Sequence, residues 1–113
     1  MIFDKKIETL KIGLAISTYS EKNTDKKRYE IIERSLKSLD DVNKCKNMYI
    51  VIVVDGDIPD IHNELLKKYN FEIYRREKNG GVAKTKNTCI RLLMENNVDI
   101  GFLADDDVLY KNN

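Results

Sequence analysis

No stretch of this sequence is apolar for more than about seven residues. A membrane-spanning helix needs roughly 20, so any membrane association is expected to be peripheral or through a segment outside this sequence. Cysteine is scarce: only Cys45 and Cys89 occur, neither inside a motif. The opening segment "MIFDKKIETLKIGLAI" carries charge where the apolar centre of a secretory leader would lie. A reducing, cytoplasmic setting is the expectation. His62 is the single histidine and has no second His or Cys at ligand spacing, so it reads as structural or solvated rather than as part of a zinc site. The one proline, Pro59, stands where it can open a helix. Neither sign of charge dominates: 20 basic and 19 acidic residues leave a net +1. No global field therefore directs the chain to nucleic acid. With no repeat and no low-complexity linker, residues 1–113 read as a single domain, long enough to bury roughly two thirds of its unfolded surface.

What is present is a regular alternation. Four short apolar runs, "IGLAIST" (12–18), "MYIVIVVD" (48–55), "FEIYR" (71–75) and "DIGFLA" (99–104), are separated by three segments of helical spacing. In the first, Ile32, Leu36 and Leu39 share a face; in the second, Ile61, Leu65 and Tyr69; in the third, Val82, Cys89 and Leu93. The order is βαβαβαβ. Residues 50–54 are apolar at every position, as expected of a strand covered on both faces. The fold class is therefore α/β, a Rossmann-like parallel sheet of about four strands with three helices on its two faces.

In such sheets ligands bind beyond the carboxyl ends of the strands, where the strand order reverses. The loops following the four strands are the polar ones: "STYSEKNTDKKR", "DGDIPD", "RREKNGG" and "DDDVLYKNN". Asp105, Asp106 and Asp107 follow directly on an apolar run that reads as a buried strand. In an extended segment Asp105 and Asp107 point the same way and Asp106 the other. Three adjacent carboxylates repel one another unless a cation sits among them. Oxygen ligands of this kind suit Mg²⁺ or Mn²⁺, although acidic triplets also occur as solvated turns. Between Arg75 and Arg91 six basic residues face one acid, Glu77. Within that segment "NGGVAKTKN" places two glycines before a helix, a turn that allows backbone to approach an anion. Lys78 and Arg91 read as solvated. Asp55 and Asp57 close the second strand, where a carboxylate can accept from a base or ribose and where Asp-Gly is equally a turn signal. Thr18, Tyr19 and Ser20 end the first strand at the floor of the expected crevice.

This series resembles the nucleotide-sugar-binding half of a GT-A glycosyltransferase, nearest to glycosyltransferase family 2. The resemblance rests on "ISTYS", "SLKSL", "IVVDGD", "NGGVAKTKN" and "DDD", in that order and spacing over almost the whole chain. Family members usually carry Pro in place of Ser17 and Asn in place of Ser20. The resemblance implies a truncated GT-A nucleotide-diphospho-sugar transferase fold. It implies that Asp55 contacts the base, usually uracil, with Thr18 and Tyr19 lining the same site. Asp105 would contact ribose or donor sugar with Asp106 beside it, and Asp107 would bind Mn²⁺ or Mg²⁺ at the diphosphate. Lys84 or Lys86 would lie on the basic side. The expected activity is transfer of a sugar, of hexosyltransferase type, from a UDP-sugar to a glycan, lipid or protein acceptor. The acceptor half and its general base have no counterpart in these residues. The alternative is a non-catalytic or split nucleotide-sugar-binding module, and an exposed sheet edge would favour self-association into a homo-oligomer.

A phosphate-handling domain is the third class. Receiver domains place an acid pair after the first strand, where this chain reads "STYSEK". Dehalogenase-like phosphatases place their DxD near the start, with further motifs after it. Neither order is met.

Overall fold

The computed structural model describes residues 10–44 and 46–111, so Cys45 lies outside the described residues. Four strands and three helices alternate as expected: β1 (Ile12–Thr18), α1 (Lys26–Asn43), β2 (Tyr49–Val54), α2 (Asp60–Lys67), β3 (Glu72–Arg75), α3 (Val82–Glu95) and β4 (Ile100–Asp105). The sheet order is β3-β2-β1-β4, with every pair parallel. The chain moves outward from β1 through β2 to β3, then crosses back to place β4 on the other side of β1. The order therefore reverses at β1, and β1 and β4 flank the switch point.

Strand alternation divides the core in two. Leu14 and Ile16 of β1 and Ile50, Ile52 and Val54 of β2 point to one face, where Ile32, Leu36 and Leu39 of α1 and Leu65 and Leu66 of α2 cover them. Ala15, Val51 and Val53 point to the other face, against Cys89, Leu92 and Leu93 of α3. Cys89 is fully buried, in accord with its place on the apolar face of the third helical segment. The first helix starts where Asp25 accepts a hydrogen bond from the Lys27 N–H, a side-chain cap for an otherwise orphaned donor. Pro59 holds extended backbone at the N-cap of α2, one residue ahead of the position expected for it. Among the described residues no helix is long and apolar enough to cross a membrane.

Three sequence expectations are corrected. On α2 the covered residues are His62, Leu65 and Leu66; Ile61 is 54% exposed, and Tyr69 falls beyond the end of the helix. On α3 the covered residues are Thr85, Cys89, Leu92 and Leu93, while Val82 in the first turn is 72% exposed. In both helices the inward stripe includes a polar residue, His62 or Thr85, that an apolar template passes over. The third correction concerns β4, which read as buried. It is an edge strand with Ile100, Phe102 and Leu103 largely open, Phe102 at 53%.

Gly13, in β1, allows α3 to close on the sheet. A Cβ there would meet Val98 Cγ1 at 2.6 Å and Leu93 Cδ2 at 2.8 Å. Gly13→Ala should therefore lower stability by about 1–3 kcal/mol through overpacking, read as a lower urea midpoint at unchanged slope. An unshifted midpoint would show that α3 does not approach β1 this closely.

Candidate functional site

The carboxyl ends of β1, β2 and β4 open into one crevice of about 630 Å³. Its walls include Thr18 and Tyr19 from β1, Asp55 from β2, Asn79, Gly81 and Thr85 from the turn and first coil of α3, Arg28 and Ile31 from α1, and Asp105, Asp106 and Asp107. The register explains the convergence, since Thr18 pairs with Val54 and Ser17 with Asp105. The residues immediately after β2 and β4 therefore emerge on either side of Thr18.

On the β2 side Asp55 is buried. Its Oδ1 accepts from Arg76 Nη1 at 2.7 Å and the Gly80 N–H at 2.9 Å, and its Oδ2 accepts from the Gly81 N–H at 3.0 Å. Burial pushes its pKa upward, but the two backbone donors, the Arg76 guanidinium and the Thr85 hydroxyl outweigh that effect and hold it below the usual carboxylate range. The turn they secure needs glycine at specific points. Gly81 has φ +88, and Gly56 (φ +78) lies so close to the Asn79 backbone N, 2.6 Å from a hypothetical Cβ, that a side chain would collide. Asn79 Nδ2 reaches across to donate to the Tyr19 hydroxyl at 3.0 Å. Asp57 is exposed in the turn beyond Gly56.

On the β4 side the three aspartates part company. Asp106 is buried and accepts from Thr18 Oγ1 at 2.6 Å and Arg28 Nη2 at 2.7 Å. Asp105 is exposed and receives Lys86 Nζ at 2.9 Å, while the same ammonium donates to the Ala104 carbonyl at 3.1 Å. Of the two lysines left open by the sequence, Lys86 is thus the one at the acidic turn. Lys84 is exposed and lines a separate surface hollow with Arg76 and Lys78. Arg91 pairs with Glu95 on the surface, at 3.0 Å, and donates to the Tyr74 hydroxyl. Asp107 is the one crevice carboxylate with no ion pair among the described residues. Among those residues no three His, Cys, Asp or Glu side chains come together as a metal cage. A Mg²⁺ or Mn²⁺ site that uses one or two carboxylates and completes its shell with water and substrate phosphates needs no such cage, and an open Asp107 beside Asp105 fits that donor set.

Sequence reasoning missed Arg28 and underestimated His62. His62 is fully buried; its Nε2 lies 2.9 Å from Thr18 Oγ1 and its Nδ1 2.6 Å from Ser20 Oγ. The signal for Arg28 was indirect: a carboxylate buried at Asp106 requires a cation, and the loop after β1 runs into "KKR".

A parallel α/β sheet with a polar crevice at its switch point defines the class, a Rossmann-like domain. The model for Glycosyl transferase family 2 matches residues 14–113, and the chain belongs to that family. It is 54% identical over 106 residues, 92% of its own length, to an uncharacterized glycosyltransferase, R363, of Acanthamoeba polyphaga mimivirus. The chain spans 41% of that relative's length.

Burial lowers the His62 pKa from 6.5 to about 4. In this pH interval the unfolded chain takes up a proton that the folded chain refuses. The stability tied to neutral His62 is therefore complete above pH 6.5 and declines as the pH falls toward 4, by about 2–3 kcal/mol. His62→Gln should flatten this part of the stability profile, measured by urea unfolding at half-unit pH steps. An equally steep decline in the variant would assign the pH dependence to other groups.

Proposed function

We propose that this chain is the donor-binding part of a sugar-transferring enzyme and holds a nucleotide-diphosphate sugar, with UDP as its nucleotide. The observation that carries this reading is the crevice itself, where a hydrogen-bonding wall at Asp55 faces an acidic turn with one carboxylate, Asp107, that has no ion pair among the described residues. A carboxylate offers about four lone-pair positions. Asp55 accepts from Arg76, Gly80 and Gly81, and the Thr85 hydroxyl is a further donor to it. A single N–H donor such as the imide of uracil would take the place of the Thr85 hydroxyl, which can turn to the Gly81 carbonyl at 2.9 Å, with the Tyr19 ring beside the base. The ribose and sugar would lie toward Asp105, with the buried Asp106 beneath, and the diphosphate toward Lys86 and Asp107.

Departure of the sugar breaks the bond between its anomeric carbon and the β-phosphate oxygen, and that oxygen takes the electron pair. The Lys86 ammonium, which donates to Asp105 and the Ala104 carbonyl, is a positive charge at the edge where the negative charge grows. Asp107, with Asp105, would hold Mn²⁺ or Mg²⁺, which when bound supplies Lewis-acid charge to the diphosphate. The acceptor would be a glycan, lipid or protein. Proton removal from it finds no candidate on the β2 wall, because Asp55 is engaged by these donors and its basicity is depressed. This favours, as a second reading, a binding module that needs further residues for turnover.

UDP with Mn²⁺ should raise the melting temperature, the increase following the ratio of ligand concentration to Kd. Asp107→Ala should weaken metal-dependent UDP binding at least tenfold by calorimetry, on the order of 1.4 kcal/mol, with the fold retained or slightly stabilised by relief of repulsion within the triplet. An Asp107→Ala variant that binds as well as the parent would overturn the metal assignment. A parent that binds UDP but neither hydrolyses nor transfers sugar would select the binding module.

A further inference from the structure

His62 is buried completely, yet it is separated from the crevice by a single side chain. The hydrogen bonds around it have a determinable direction. Asp106, ionised beside Arg28, can only accept, so the Thr18 hydroxyl spends its proton on Asp106 Oδ2 at 2.6 Å. Thr18 Oγ1 must then accept from His62 Nε2–H at 2.9 Å. With its proton on Nε2, the neutral ring presents Nδ1 as an acceptor, and Ser20 Oγ donates to it at 2.6 Å. The result is a one-way chain, Ser20 to His62 to Thr18 to Asp106, whose last member is the middle residue of the acidic turn.

We propose that His62 is a positioning residue for this turn, fixing through Thr18 and Asp106 where Asp105 and Asp107 stand at the mouth of the crevice. The ring has no freedom of its own. Both of its nitrogens are engaged, and the Tyr29 ring meets it edge-on with centroids 6.0 Å apart. The remaining supports of the turn come from other directions, among them Lys86 Nζ, which holds Asp105 Oδ1 at 2.9 Å and the Ala104 carbonyl at 3.1 Å. Arg28 Nη2 reaches Asp106 at 2.7 Å, and further along the Tyr110 N–H donates to Ser38 Oγ at 3.0 Å. Without the His62 donor, Thr18 Oγ1 can rotate away from Asp106 to find another partner. The buried carboxylate then keeps only Arg28, and the two aspartates flanking it lose one of the two bonds that hold their common anchor. Buried polar chains of this kind are stiff when every member is satisfied and lose order when one is removed. The positioning stands on the geometry alone; only its consequence for a bound cation rests on the donor-site reading.

The test uses the full chain and its single histidine. In the unmodified protein, long-range proton–nitrogen NMR should show one neutral tautomer with the proton on Nε2; an Nδ1–H tautomer, or rapid exchange between the two, overturns the proposal. In amide spectra His62→Leu should shift Asp105, Asp106 and Asp107 and speed their hydrogen exchange at least tenfold. His62→Gln, which can still present an N–H toward Thr18, should leave them close to the parent. Thr18→Val should move the same amides, and His62→Leu should add nothing on that background. Equal effects of His62→Leu and His62→Gln, or additive effects of His62→Leu and Thr18→Val, would reduce His62 to a space-filling residue. Mn²⁺ alone, added to the parent, should broaden Asp105 and Asp107 selectively. If it does not, the cation reading fails while the tautomer and amide results still decide the positioning.

Discussion

The structure around the crevice depends on the burial of one carboxylate. Asp106 lies out of water at the end of an otherwise open edge strand, and a buried carboxylate is tolerable only when paired and hydrogen-bonded. Arg28 from α1 and Thr18 from β1 supply that pairing, so segments distant in sequence meet at one atom, Asp106 Oδ2. Arg28 arrives there because α1 is started by Asp25 and held to the sheet by Tyr29, Ile32, Leu36 and Leu39. Arg28 also donates to the Tyr19 carbonyl at 3.3 Å, tying the first loop to the same point. The residues on either side of Asp106 are thereby presented to solvent.

Charge in the crevice is distributed by the same logic. Asp55 has Arg76, Asp106 has Arg28 and Asp105 has Lys86, and the most buried carboxylates hold the arginines, whose planar forks suit desolvated pairs. The lysine goes to the exposed Asp105, where it can exchange partners at little cost. This ordering gives the crevice two firm walls and one adaptable edge. A ligand bearing negative charge would meet Lys86 rather than the fixed pairs.

Much of this was legible beforehand. The βαβαβαβ order follows from short apolar runs separated by helical spacing, and the location of the site follows from parallel topology, because strand carboxyl ends and their loops gather on one edge. The grouping of Thr18, Tyr19, Asp55 and the acidic triplet along that edge needed nothing more. Illegible were the polar members of the inward stripes. His62 and Thr85 occupy core positions because each hydrogen bonds within the fold, and a hydropathy template assigns such residues to the surface. Ile61 and Val82 were placed inward for the converse reason.

The sequence by itself determined the elements, their order and the edge at which chemistry gathers, since these follow from local periodicity and from the handedness of parallel crossovers. Only the tertiary structure decided how the three aspartates divide their roles. Alternation along a strand distinguishes Asp106 from its neighbours, but which side is buried depends on where Arg28, Thr18 and His62 come to lie, and those positions are set by packing between residues 44 to 88 apart in the chain.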